Sequence, residues 1–193
     1  QRNDALENTA IRKEYRIHCR MENRRNFAFE MLLYLPKNAS APVPAFLGLN
    51  FKGNHNTTDE DDVRCTGFLK PGTLAVKERA LQVERWCFRE AVRRGFASAT
   101  VCYHDIHPDA TRSEQYSAFR LFFTPEQYPD IQKRYSVIGC WAWGLSRALE
   151  CLEHDPMINP AKIAVHGHSR LGKTSLWAGA IEKRFRMVIS NNS

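Results

Sequence analysis

Hydrophobic and polar positions alternate along residues 10–20 and again from residue 27, which predicts two β-strands over 10–20 and 27–36 joined at residues 22–26. The second run ends fully apolar, as a strand covered on both faces does. A polar, proline-bearing connection over 37–44 leads to a short apolar strand at 45–50. Residues 51–73 read as a long loop, acidic at 59–62, of a length that is usually functional or mobile. Residues 77–94 read as a helix: Val83, Trp86, Cys87, Ala91 and Val92 share one face, and Gly95 can supply the left-handed stop. A buried strand at 96–103 and a second long connection at 104–134, rich in aromatics, follow. The clearest helix is 137–153, where Ile138, Trp141, Ala142, Leu145, Ala148, Leu149 and Leu152 form a wide apolar stripe. Then come a strand at 162–166, a sharp turn at 167–172, a helix at 174–183 and a strand at 187–190. An opening hairpin followed by alternating strands and helices predicts an α/β fold, a three-layer sandwich with a mostly parallel central sheet. In such sheets chemistry gathers beyond the carboxyl ends of the strands.

The chain has 193 residues, 43% of them hydrophobic, which suits one domain with a real core and excludes disordered and fibrous classes. Its longest apolar stretch, about residues 31–35, is far short of the roughly 20 residues of a spanning helix, and no apolar leader is visible at the start. The net charge of +7 invites a nucleic-acid partner. The distribution argues against one: no Lys/Arg run exceeds two residues, and acids are interleaved on the same elements. The six cysteines contain no C-x-x-C pair, so most read as small buried hydrophobes, with one disulfide left open. Residues 104–109 hold His104, Asp105, His107 and Asp109, a set that resembles a metal cluster in composition and reads more simply as a polar loop with hydrogen-bonded histidines. Two Asn-x-Ser/Thr triplets, at Asn38 and Asn56, would be glycan acceptors only in a eukaryotic secretory route.

The turn at 167–174, GHSRLGKT, satisfies two motifs. As G-x-x-x-x-G-K-[ST] it is a phosphate-binding P-loop. As G-x-S-x-x-G it is close to a nucleophile elbow, which holds a serine in a strained strand-to-helix turn. Three features favour the elbow: the interior of the loop is bulky, several strands precede it, and no apolar strand ending in Asp follows to hold magnesium. A serine needs a base before it attacks an ester carbonyl. The charge that then develops on the carbonyl oxygen could be met by the amide and guanidinium of Arg170, with further amides around Phe51, Lys52 and Gly53. His55 and His168 join these as candidate pocket lining.

At this turn the sequence also resembles the G-x-S-R-x-G-K signature of the glucuronoyl esterases, the family 15 carbohydrate esterases. Residues 33–36 (LYLP), 46–55 (FLGLNFKGNH), 139–147 (GCWAWGLSR) and 188–192 (VISNN) look like its bacterial members, so the resemblance spans roughly residues 10–193. It implies the α/β-hydrolase fold and cleavage of esters between (4-O-methyl)glucuronic acid on xylan and lignin alcohols. By the same resemblance Ser169 is the nucleophile, Arg170 stabilises the oxyanion and Lys173 contacts the uronic acid hydroxyls. It implies no cofactor or metal, a glucuronoxylan or lignin-carbohydrate ester as partner, no nucleic acid or membrane, a monomer and a secreted location. His104 departs from the glycine usual near that position. An acetyl xylan esterase and a P-loop nucleotide-binding protein using residues 167–174 are the alternatives. The triad order of this fold is Ser, then Asp/Glu, then His. Only Glu182 and no histidine follow Ser169. The expectation is therefore one domain over 1–193 that continues beyond Ser193 and lacks an N-terminal helical segment, and that is inactive by itself.

Overall fold

A computed structural model of the chain describes residues 1–22 and 25–193, with Gln132 described by its backbone. The expected turn at 22–26 therefore lies partly outside the described residues. The flanking strands pair as an antiparallel hairpin, β2 (Ala10–Arg20) with β3 (Asn26–Pro36), after a short β1 (Arg2–Asp4) and a single turn, α1 (Ala5–Asn8), wound left-handed at Leu6, Glu7 and Asn8. β4 (Val43–Asn50) follows, then a loop that carries a small hairpin of β5 (Phe68–Lys70) and β6 (Thr73–Leu74). Next are α2 (Val83–Trp86), α3 (Phe88–Arg93), β7 (Ala97–Cys102) and α4 (Tyr103–Ile106). Three short 3-10 turns precede α5 (Tyr128–Arg134); α6 (Val137–Glu153), β8 (Ile158–His168), α7 (Arg170–Ile181) and β9 (Met187–Asn191) complete the chain.

The main sheet has the order β1-β2-β3-β7-β4-β8-β9. The pairs from β1 to β7 are antiparallel, and β7, β4, β8 and β9 are mutually parallel. The parallel part of the expected sheet is the half that carries the elbow, and the opening hairpin, as expected, adds an antiparallel half. Period-two alternation on β3 shows why both faces are covered. Met31, Leu33 and Leu35 join the core under α6, with Leu145, Leu149 and Leu152. Leu32 and Tyr34 face the other way, against Phe88 and Val92 of α3.

Two expectations change. The helix anticipated over 77–94 is confined to α2 and α3 and is broken at Cys87, whose φ is +46°. The preceding strand of chain is tied to the 54–56 turn instead, through Ala80 N–H to the His55 carbonyl (3.2 Å) and Gln82 N–H to the Asn56 carbonyl (2.8 Å). The acidic stretch of the 51–73 loop is also pinned. Buried Arg12 donates to Glu60 Oε2 at 2.8 Å and to both oxygens of Asp62 at 2.8 and 2.6 Å. That guanidinium holds the Asp62 carboxyl down at about 2. All six cysteines are free thiols. Asn56 is fully buried and donates to the Lys52 carbonyl, so its triplet is no glycan acceptor.

Candidate active site

The strand-to-helix turn has no loop in it. β8 ends at His168, α7 begins at Arg170, and Ser169 alone joins them, with φ +55° and ψ −129°. A P-loop needs several residues free to wrap a phosphate. Here the turn is one residue long and is tied at both ends: Ser169 N–H donates to the Asn191 carbonyl at 2.9 Å, and Lys173 N–H to the Ser169 carbonyl at 3.0 Å. The nucleotide-binding alternative is thereby set aside. The two glycines of the motif are required by space. A Cβ on Gly167 would lie 2.2 Å from the Leu171 carbonyl oxygen, and one on Gly172 would lie 2.1 Å from Ser193 Oγ. Ser169 is therefore presented at the carboxyl end of a central parallel strand, exposed, at the N-terminus of α7, where unpaired amides and the helix dipole favour developing negative charge.

Arg170, the first residue of α7, turns its guanidinium to Asp109, with Nη1 donating to Oδ2. Asp109 is itself held twice. Its Oδ2 accepts from the Tyr103 hydroxyl at 3.3 Å, and its own N–H donates to His104 Nδ1 at 3.0 Å. Burial pushes the His104 imidazole down to about 4, so the ring is neutral and its Nδ1 can accept. The residues at 104–109 thus form a hydrogen-bonded loop under Arg170, and His104, which departs from the family pattern, serves as a strut of it. The pairing of Asp109 with Arg170 was not legible in the chain, since the partners are 61 residues apart.

Beside the elbow lies a cleft of about 370 Å³, lined by Phe51, Gln82, Trp86, His166, His168 and Asn191 among others. Of the expected lining, Phe51 and His168 face it. Lys52 and Gly53 do not line it, and the Gly53 amide is occupied, donating to Asn50 Oδ1 at 2.7 Å. It is therefore not a free donor for an oxyanion. His55 is a correction of another kind. It is fully buried, accepts at Nδ1 from Thr66 N–H (3.3 Å) and sets its Nε2 3.2 Å from the Val76 carbonyl. It braces the loop and touches no cleft. Lys173 is exposed one turn into α7. Glu182 caps the far end of α7 and pairs with Arg184 at 2.6 Å, away from Ser169.

Trp86 and His166 are cleft walls that sequence reasoning missed. Their rings meet at 5.4 Å and 60°, and Phe46 flanks His166 at 6.2 Å. His166 lies so close over β4 that a Cβ on Gly48 would come within 2.6 Å of its Nε2. Burial pushes its pKa down to about 4, so it is a neutral packing group. The one signal for this pair was the glycine inside an apolar strand, which marks close approach of another group.

A serine on a strained elbow after a central parallel strand, with helices on both faces of the sheet, defines an α/β-hydrolase. A model of the glucuronyl esterases of fungi matches residues 89–193, and the chain belongs to the glucuronoyl esterase family. It is 38% identical to carbohydrate esterase MZ0003, from an unknown prokaryotic organism, over 98% of this chain and 45% of that protein. A solved glucuronoyl esterase from Solibacter usitatus superposes with a TM-score of 0.83 at 33% identity, over 96% of this chain and 48% of that one. The 4-O-methyl-glucuronoyl methylesterase of Phanerochaete carnosa is 47% identical over 60 residues, 30% of this chain and 15% of that protein. The chain spans about half the length of the two relatives it matches throughout.

Proposed function

We propose that the protein hydrolyses esters of glucuronic acid, cleaving the bond between the uronate carbonyl of glucuronoxylan and a lignin alcohol. The observation that carries this reading is the elbow, with Ser169 at φ +55° between β8 and α7 and Arg170 beside it. Ser169 Oγ attacks the ester carbonyl and its proton passes to the departing alcohol; the uronyl group stays on Ser169 until water attacks it, giving its hydroxyl to the uronic acid and a proton back to Oγ. The Arg170 amide and guanidinium meet the charge that develops on the carbonyl oxygen; one such donor is worth about 3–4 kcal/mol of barrier. Lys173, one turn on, hydrogen-bonds the sugar hydroxyls and favours the anionic product. His166 takes no part as base: it is packed between Phe46 and Trp86. No cofactor enters this scheme. The substrate is a polymer of the plant cell wall, so the protein acts outside the cell, as a monomer. Among the described residues no helix is long and apolar enough to cross a membrane.

The test is a panel of benzyl glucuronate, acetylated xylan and feruloylated xylan, offered to the longest polypeptide that carries this sequence. Turnover of the glucuronate ester is expected to dominate and to vanish in Ser169→Ala. Preferred release of acetate, or activity that survives Ser169→Ala, would overturn the reading.

A further inference from the structure

A cavity of about 640 Å³ opens not at Ser169 but along the β2–β3 hairpin where it runs past β7. β3 pairs with β7 only over Met31 to Tyr34, so residues 26–30 project beyond the carboxyl end of β7, on the same edge of the sheet as the elbow. Alternation on β2 sets Arg16, His18 and Arg20 on one exposed face. Their cross-strand partners are Glu30, Ala28 and Asn26. Glu30 Oε1 neutralises Arg16 at 3.0 Å and also takes Arg64 at 3.1 Å. Arg20 and, from the opposite wall, Arg120 have no carboxylate partner among the described residues. Two exposed aromatic side chains share the groove with these guanidiniums, Phe68 at 38% and Tyr116 at 37% exposure. The Phe68 wall is fixed from behind, because Asp105 Oδ1 accepts from both Gly67 N–H (2.8 Å) and Phe68 N–H (3.0 Å).

An unpaired guanidinium presents a planar fork that matches a carboxylate, and an open aromatic face offers contact area to the C–H face of a sugar ring. Repetition of both around one groove suits a chain of sugars bearing carboxylates. We propose that this groove binds a uronate-bearing stretch of polysaccharide remote from the ester being cleaved, and so holds the polymer along the catalytic edge. β7 and β4 separate β3 from β8 by about 15 Å across the sheet, and His104, which lines the inner end of the groove, stands between it and the Asp109–Arg170 pair. Two free guanidiniums are few for a nucleic acid, whose binding rests on many phosphate contacts. The inference builds on the glucuronoyl esterase reading for its ligand and goes beyond it in the site.

The test compares the longest polypeptide carrying this sequence with its Arg20→Gln/Arg120→Gln variant. Both side chains are exposed, so the fold should hold; Arg20→Glu serves as a second variant and melting temperatures check both. The KM for polymeric glucuronoxylan ester is expected to rise about tenfold or more in the double variant, two charge-assisted contacts being lost. The kcat/KM for benzyl glucuronate should stay within about twofold of the parent, since the groove does not touch the scissile ester. Affinity electrophoresis should show weaker retention by acidic xylan and unchanged retention by neutral arabinoxylan. An unchanged polymer KM, equal losses on neutral xylan, or tighter retention by a single-stranded oligonucleotide than by acidic xylan would each overturn the proposal. Should benzyl glucuronate not be turned over at all, the esterase reading falls, while the electrophoresis still decides the groove.

Discussion

Replacing Ser169 by glycine should make the protein more stable while it abolishes turnover. Ser169 sits at φ +55°, ψ −129°, a corner of backbone space that glycine enters freely and a residue with a Cβ does not. Such a residue stores about 1–3 kcal/mol of strain, kept in place by the surrounding bonds. Those bonds run through its backbone: the N–H to Asn191 and the carbonyl from Lys173, at 2.9 and 3.0 Å. The hydroxyl caps no amide of α7, so the substitution sacrifices no helix cap. Against the relief stands the greater freedom of glycine in the unfolded chain, roughly 0.5–1 kcal/mol. The balance is a gain of up to about 2.5 kcal/mol, centred near 1, or about 2–4 °C in Tm at that centre for a domain of this size. Ser169→Ala keeps the Cβ and the strain, so its Tm should match the parent. The assay is a thermal melt of parent, Ser169→Ala and Ser169→Gly in parallel, with glucuronate ester hydrolysis read on each. A glycine variant that melts at or below the alanine variant would refute the claim that strain is stored at the nucleophile.

Asp109→Ala should lower kcat on a glucuronate ester about tenfold with KM little changed, because it frees the Arg170 guanidinium; in an Arg170→Ala background it should cost almost nothing more, and additive losses would refute the coupling. The Arg170–Asp109 pair is partly exposed, so its removal should move stability by no more than about 1 kcal/mol. Burial raises the Asp105 carboxyl to about 6, against about 3.9 in an unfolded chain, so between these values the folded protein holds a proton that the unfolded chain has released. Stability therefore falls as pH rises from about 4 to 6; Asp105→Asn removes that slope, and its Tm relative to the parent should climb across this window by the equivalent of about 3 kcal/mol. Arg12→Met strands Glu60, whose side chain is only 11% exposed, and should cost about 3–5 kcal/mol in a urea melt. Gly48→Ala should drive the His166 ring off β4 and cost about 1–3 kcal/mol, measured the same way.

What the chain disclosed before folding was its local chemistry. The helix α6 runs from Val137 to Glu153 as its periodicity indicates, because Trp141, Ala142, Leu145, Ala148, Leu149 and Leu152 repeat at helical spacing and all are buried. The elbow was legible for a similar reason: Gly167, Ser169 and Gly172 stand within one short motif, and the Gly167 constraint, the Leu171 carbonyl, lies in the same turn. The misreadings share the opposite cause. Residues 77–82 have helical periodicity, yet bonds to the carbonyls of His55 and Asn56 claim them, and no local pattern announces partners more than twenty residues back. His55 looked like pocket lining because it follows a strand's carboxyl end, and it is buried because the Thr66 amide and Val76 carbonyl fold over it.

That division bears on how the site works. The nucleophile depends on the tight turn over 167–172 and on the neighbouring β9, whose Asn191 carbonyl takes the Ser169 N–H and whose end crowds Gly172. The position of the Arg170 guanidinium is a property of the assembled sheet, reached only when the loop after β7 is laid beside the end of β8, with His104 and Tyr103 fixing Asp109 from two sides. A serine can thus be strained and exposed while the guanidinium proposed to meet the oxyanion is still unplaced. The variants at 169 read only the first condition, through stability. The variants at 109 read only the second, through kcat. If both classes moved stability together and left kcat on the remaining activity untouched, the elbow and the loop beneath Arg170 would be one structural unit, and the separation of nucleophile from charge stabiliser drawn from the geometry would be wrong.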